Sequence, residues 1–212
     1  MIAMGAESGE LNLMQMSAVR EMANIGLGHA TTALATMTGR PFNMEIPNVE
    51  TVAIEDLPFK VGDPTEVAVG ISMPIDGDVA GYTAFIFPWS SAQDLWSMLI
   101  GQRLEDPSEI DELSASVMLE IGNIVSSAFL NAISDMSELK LHATPPMVSV
   151  DFMASITATI VGEAELSDVV ALTLETRLYD MNENSTTGYF LCIPTKSGLD
   201  LLFERLGIAD AA

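Results

Sequence analysis

The sequence predicts an α+β fold in which two long helices pack on an antiparallel β-sheet and short helices close the ends. Three observations carry this. A polar pattern, Ser17-Ala-Val-Arg-Glu21-Met-Ala-Asn24-Ile25, recurs 99 residues later as Ser116-Val-Met-Leu-Glu120-Ile-Gly-Asn123-Ile124, and a proline follows each Asn by 23 positions, at Pro47 and Pro146. Each copy precedes several β-patterned runs in succession, and strands grouped this way favour an antiparallel sheet over a parallel one. The halves also end alike. Gly81-Tyr82 precedes Pro88 and Gly188-Tyr189 precedes Pro194, after which Ser91/Ser197, Asp94/Asp200, Leu95/Leu201 and Gly101/Gly207 align at an offset of 106. Two copies are too few for a stacked array. The 212 residues are therefore expected to form a single domain, 1–212, of two repeats over about 9–101 and 109–207, sharing one core about a pseudo-two-fold axis.

The elements follow in order. A long helix is expected over about 9–37, started by Ser8 or Glu10 and stopped at Gly39, and a second over about 109–136, started by Ser108 or Asp111 and ending near Ser134-Asp135. Strands are expected at Val49–Ile54, Glu66–Pro74 and Ala80–Phe87, then at Val148–Ile160, Val169–Tyr179 and Thr187–Ile193. Pro58, Gly62-Asp-Pro64, Asp76-Gly77 and Asn182-Glu-Asn184 supply turn chemistry between them. Short helices over about 89–101 and 195–206 close the halves.

Ser17, Glu21, Asn24 and Gly28 stand at i, i+4, i+7 and i+11, so they share one face of a helix, and Ser116, Glu120, Asn123 and Ser127 do the same. Their neighbours are apolar or small. A Glu buried unpaired in such surroundings is costly, so the stripe should be exposed. Gly28 and Ser127 would let another molecule approach the helix closely. One Glu-x-x-Asn is ordinarily a solvated face. Here it recurs although the flanking residues have diverged, from Gly26-Leu-Gly-His-Ala to Val125-Ser-Ser-Ala-Phe, which favours a role for it. Glu can pair with a lysine. Asn both donates and accepts, and so can hold a water in one orientation, much as a Gln does in small GTPases. No His or Cys stands at a spacing that would make a nucleophile–base pair.

Thirty Asp and Glu face eight Lys and Arg, a formal net charge of −22, although only 18% of residues are charged. The positive half is missing. Nucleic acid and anionic membrane surfaces require basic clusters that are absent here. Two readings of the acidity stand: an acidic site for a basic partner, or solvation in a salty environment, to which the scattering of the acids points. A hydrophobic content of 49% can fill a core and excludes disorder. Cys192 is the only cysteine and sits in an apolar run, so it reads as a small buried hydrophobe; with His29 and His142 alone, a structural zinc site is not expected. The N-terminus lacks the regions of a signal peptide and no apolar run reaches about 18 residues, so a cytoplasmic protein without a membrane span is expected.

The twofold pattern Ser/Asp-x3-Glu-x2-Asn-x22-Pro resembles the signature of the CheC/CheX/FliY family of chemotaxis phosphatases, and two copies without room for a further domain resemble its CheC type. The resemblance spans about 10–207. It implies hydrolysis of the aspartyl phosphate of the response regulator CheY. Glu21 and Glu120 would pair with the regulator's lysine. Asn24 and Asn123 would align the attacking water. Ser17, Pro47, Ser116 and Pro146 would support them. The resemblance implies no metal or cofactor of the protein's own, since Mg²⁺ is expected in the partner; the internal pseudo-dimer removes the need for a second subunit, so a monomer is expected. It also implies binding to the receptor deamidase CheD, for which the closing helix, with its stripe of Leu199, Leu202, Phe203 and Leu206, is the candidate surface. The alternative reading is a non-catalytic adaptor that binds CheD or CheY in receptor adaptation.

Overall fold

The computed structural model describes residues 11–163, 170–181 and 184–209. Along the chain the elements are α1 (Leu13–Thr38), β1 (Phe42–Ala53), α2 (Leu57–Lys60), β2 (Val67–Gly77), β3 (Gly81–Pro88), α3 (Trp89–Ile100), α4 (Glu112–Ser137), β4 (Leu141–Ala143), β5 (Met147–Phe152), α5 (Met153–Glu163), β6 (Val170–Asp180), β7 (Ser185–Pro194) and α6 (Lys196–Arg205).

The long helices start where side chains satisfy their free N–H groups. Asn12 accepts from the N–H groups of Met14 and Gln15 while Gln15 Oε1 accepts from Asn12 N–H, a reciprocal capping box. The first cap is thus Asn12, not Ser8 or Glu10, which lie outside the described residues. Asp111 caps α4, accepting from the N–H and hydroxyl of Ser114. Those bonds hold the Asp111 carboxyl below the usual range. Ser108, the other expected start, belongs to a short turn upstream. Gly39 ends α1 at φ 64°, as expected. The second helix runs past Ser134-Asp135 to Ser137, where Glu138 takes the left-handed conformation at φ 60° and its N–H donates to Ser134 O at 2.9 Å.

The seven strands among the described residues join one sheet in the order β1-β6-β7-β3-β2-β4, with β5 also on β2. Every pairing is antiparallel. The pairing is interleaved. β1 from the first half leans on β6 of the second, and β5 from the second leans on β2 of the first. At the centre β3 and β7 pair, Phe85 facing Phe190 and Thr83 facing Cys192. Side chains alternate across this centre. Phe85, Phe87, Phe190 and Cys192 enter a core with α1, α3, α4 and α6. Ala84, Ile86, Leu191 and Ile193 enter a second core with α2 and α5. The middle strands are therefore buried on both faces, as their continuous apolar runs require.

Further expectations are corrected. The strand expected over Val49–Ile54 begins already at Phe42 and ends at Ala53. The strand expected over Val148–Ile160 stops at Phe152, and α5 follows. Met153, Ile156, Thr157 and Ile160 are all buried, a helical period, and Thr157 and Thr159 donate to carbonyls four residues back. Their β-branched character disguised that period. Pro58 opens the one-turn helix α2 rather than a turn, since proline suits a helix's first positions. The short strand β4 was not expected; it pairs with the end of β2. Asn182 and Glu183, expected in a turn, and Val169, expected to open a strand, lie outside the described residues.

By length and composition alone α4 is apolar enough to cross a membrane. Half of that window is buried inside the fold, as in the core helix of a packed protein.

The two long helices pack through glycine. A Cβ on Gly26 of α1 would stand 2.8 Å from Phe129 Cα of α4, closer than backbone allows. Gly28, two residues on, faces open space. Gly26→Val should therefore cost at least the about 1–3 kcal/mol typical of overpacking, whereas Gly28→Ala should stabilise by up to about 1 kcal/mol through helix propensity. Urea unfolding of the two variants against the parent checks both signs.

Candidate functional site

The burial of α1 and α4 decides which faces they show. On α1 the buried residues are Val19, Met22, Ala23, Gly26, Ala30 and Leu34. Ser17, Glu21, Asn24 and Gly28 lie on the opposite side and are exposed. On α4, Met118, Ile121, Gly122, Val125 and Phe129 face the core, while Ser116, Glu120 and Asn123 are exposed and Ser127 is half-buried. A hydrogen bond from Thr83 to Ser126 Oγ, 3.1 Å long and buried, ties α4 to the sheet and holds its rotation. The structure thus brings each expected Glu/Asn pair onto one solvent-facing stripe.

The prolines sit differently. Pro47 stands inside β1, in the irregularity where the register to β6 shifts between Glu45 and Asn48. A bulge in an edge strand is a place that tolerates the missing N–H. Pro146 lies just before β5. Beside Pro47 a cavity of about 150 Å³ opens, lined by Arg20, Asn24, Ile46, Pro47 and Val49. It joins the helix stripe to the strand that carries the proline.

The two asparagines also differ. Ser127 Oγ donates to Asn123 Oδ1 at 3.5 Å. Gly28 occupies the matching place on α1 and offers no side chain. Among the described residues, Glu21, Asn24 and Glu120 engage no side-chain partner. They are free to meet another molecule.

Sequence reasoning missed two features. Arg20 lines the cavity with Asn24, and its scarcity as one of eight cations was the available signal. Leu13, Met14 and Leu113 are exposed at the heads of the stripes, Leu13 at 92%. The apolar stripe of the closing helix is used internally: Leu202 and Phe203 are buried, and Leu199 and Leu206 pack against the same core.

Among the described residues no group of three His, Cys, Asp or Glu is placed to hold a metal ion. Cys192 is buried, and burial pushes its thiol up to about 12. A thiol that stays protonated there is no nucleophile.

The CheC-like family matches the chain at residues 14–50 and 113–150, the two stretches that run from each stripe to its proline. The CheY-P phosphatase CheC of Bacillus subtilis is 30% identical over 199 residues, covering 91% of this chain and 94% of that protein. Among solved structures, Thermotoga maritima FliY superposes with a TM-score of 0.76 at 15% identity, over 94% of this chain and 99% of that one. A CheC-like superfamily protein from Shewanella sp. PV-4 superposes with a TM-score of 0.51 at 15% identity, over 87% and 99%. At those identities the structural likenesses establish the fold: helices on a curled antiparallel sheet.

Cys192 should be inert to a thiol-specific disulfide reagent at pH 8 in the native protein and release about one equivalent of chromophore once denatured. Rapid reaction of the native protein would contradict its burial.

Proposed function

The chain belongs to the CheC-like family, and from that premise we propose that it is a phosphatase of a phosphorylated CheY-like response regulator. The observation that carries the proposal is the pair of exposed Glu/Asn stripes on two helices held rigidly by the core. In this reading each stripe is a station that docks against the regulator's phosphorylated aspartate. Glu21 or Glu120 pairs with the regulator's lysine and fixes the approach. Asn24 or Asn123 donates to and accepts from one water, aiming it at phosphorus opposite the aspartyl oxygen. The water's oxygen bonds to phosphorus, the acyl oxygen–phosphorus bond breaks, and inorganic phosphate and an aspartate carboxylate result. The regulator supplies the Mg²⁺ and the acidic residues that hold it, so the chemistry demanded of this chain is positioning alone. Ser17 and Ser116 extend the stripes, and Pro47 and Pro146 fix the backbone beside them.

Helix energetics supports assigning the asparagines a role. Asn within a helix costs up to about 0.7 kcal/mol relative to Ala, and two exposed mid-helix positions bear it. The same reading treats about 9–101 and 109–207 as two equivalent repeats and places the protein in the cytoplasm as a monomer, with CheD as a second partner. If regulator binds while its dephosphorylation stays at the spontaneous rate, the chain is instead a non-catalytic adaptor.

Asn24→Ala combined with Asn123→Ala should keep or raise the melting temperature and reduce regulator dephosphorylation by about 100-fold, the scale of losing a positioned hydrogen-bonding group. Phosphate release from phosphorylated regulator measures it, and undiminished release would sink the mechanism. Activity should also hold or rise as salt increases from 0.1 M toward 1 M. A net charge of −22 repels an acidic partner, and the Debye length falls from about 10 to about 3 Å over that range. A steep fall would return the charge to the binding argument.

A further inference from the structure

The two stations differ in charge. In the first, Arg20 stands four residues before Asn24, on the same side of α1, and the two line one cavity with Ile46, Pro47 and Val49 of β1. Arg20 is exposed, and among the described residues no carboxylate pairs with it. At the matching place in the second station stands Leu119, half-buried and without charge. The second station has a different device, the hydroxyl of Ser127 on Asn123. An unpaired guanidinium beside an open polar cavity, in a chain this acidic, is suited to an oxyanion, since its fork of donors matches carboxylate and phosphoryl oxygens.

We propose that Arg20 is an oxyanion-binding positioning residue of the first station, drawing phosphoryl or carboxylate oxygens of the docked regulator into the cavity beside Asn24. This rests on the phosphatase reading above. The two stations are then unequal: the first recruits its partner through charge, and the second relies on an asparagine already oriented by Ser127.

The test places Arg20→Leu, which copies the second station, in an Asn123→Ala background where only the first station works. KM for the phosphorylated regulator should rise about three- to tenfold at low salt with kcat within twofold. Arg20→Lys should recover part of the loss. The gap should shrink as salt screens the charge. Arg205→Leu, on α6, serves as a control for general loss of a cation and should change nothing. Binding of unphosphorylated regulator separates the two oxyanion sources: a loss confined to the phosphorylated form assigns the phosphoryl group, and an equal loss in both forms assigns carboxylates. An unchanged KM, or a loss that neither lysine nor salt alters, overturns the role of Arg20 while leaving the phosphatase reading intact. If the parent protein does not accelerate phosphate release at all, both fall.

Discussion

The structure depends on backbone hydrogen bonding between its halves. β1 is long, its N–H and C=O groups interrupted only at the Pro47 bulge, and its partner is β6, more than a hundred residues away. β5 in turn completes its pairing on β2. One sheet made from both halves pairs β1 along one side with β6 and β5 along one side with β2, and leaves β1 as an edge strand. It also brings α1 and α4 together on one face, where Gly26 lets the backbones approach and Phe129 fills the space.

That packing determines which helix faces look outward. A helix whose core face is fixed has its outer face fixed as well, since the two differ only by rotation about one axis. Val19, Gly26 and Ala30 bury one side of α1, so Ser17, Glu21 and Asn24 must look outward. On α4 the bond between Thr83 and Ser126 gives the same result with a polar tether. A stripe placed this way is preorganised without contributing to stability. Its polar residues cost helix propensity.

The acidic residues are spread over the surface. The carboxylates are spread over helices, turns and strand ends, and few of them find a cation; Asp94 and Glu105 share Arg103, and Asp76 stands by His142. With so few positive residues, the placement of each one carries weight. Arg103 holds a turn together, whereas Arg20 is left open beside an asparagine.

Much of this was legible in the residues alone. The period of the stripe, its recurrence and the proline spacing exposed both candidate stations and the α+β class, because local pattern alone decides which residues share a helix face. The strand ends, the cap at Asn12 and the helical nature of Met153–Glu163 were less legible. Val, Ile and Thr suit a strand locally, and only burial against α2 and the sheet makes that segment a helix. The sequence by itself determined the stripes, their chemistry and the missing positive charge. Only the tertiary structure decided that β1 and β5 cross between halves, that Pro47 lies in a bulge, and that Arg20 and Asn24 of α1 meet Ile46, Pro47 and Val49 of β1 over one cavity. Those facts join residues on different elements, and strands distant in the chain pair according to which apolar faces and backbone edges meet in three dimensions, although the pattern along each strand sets its register.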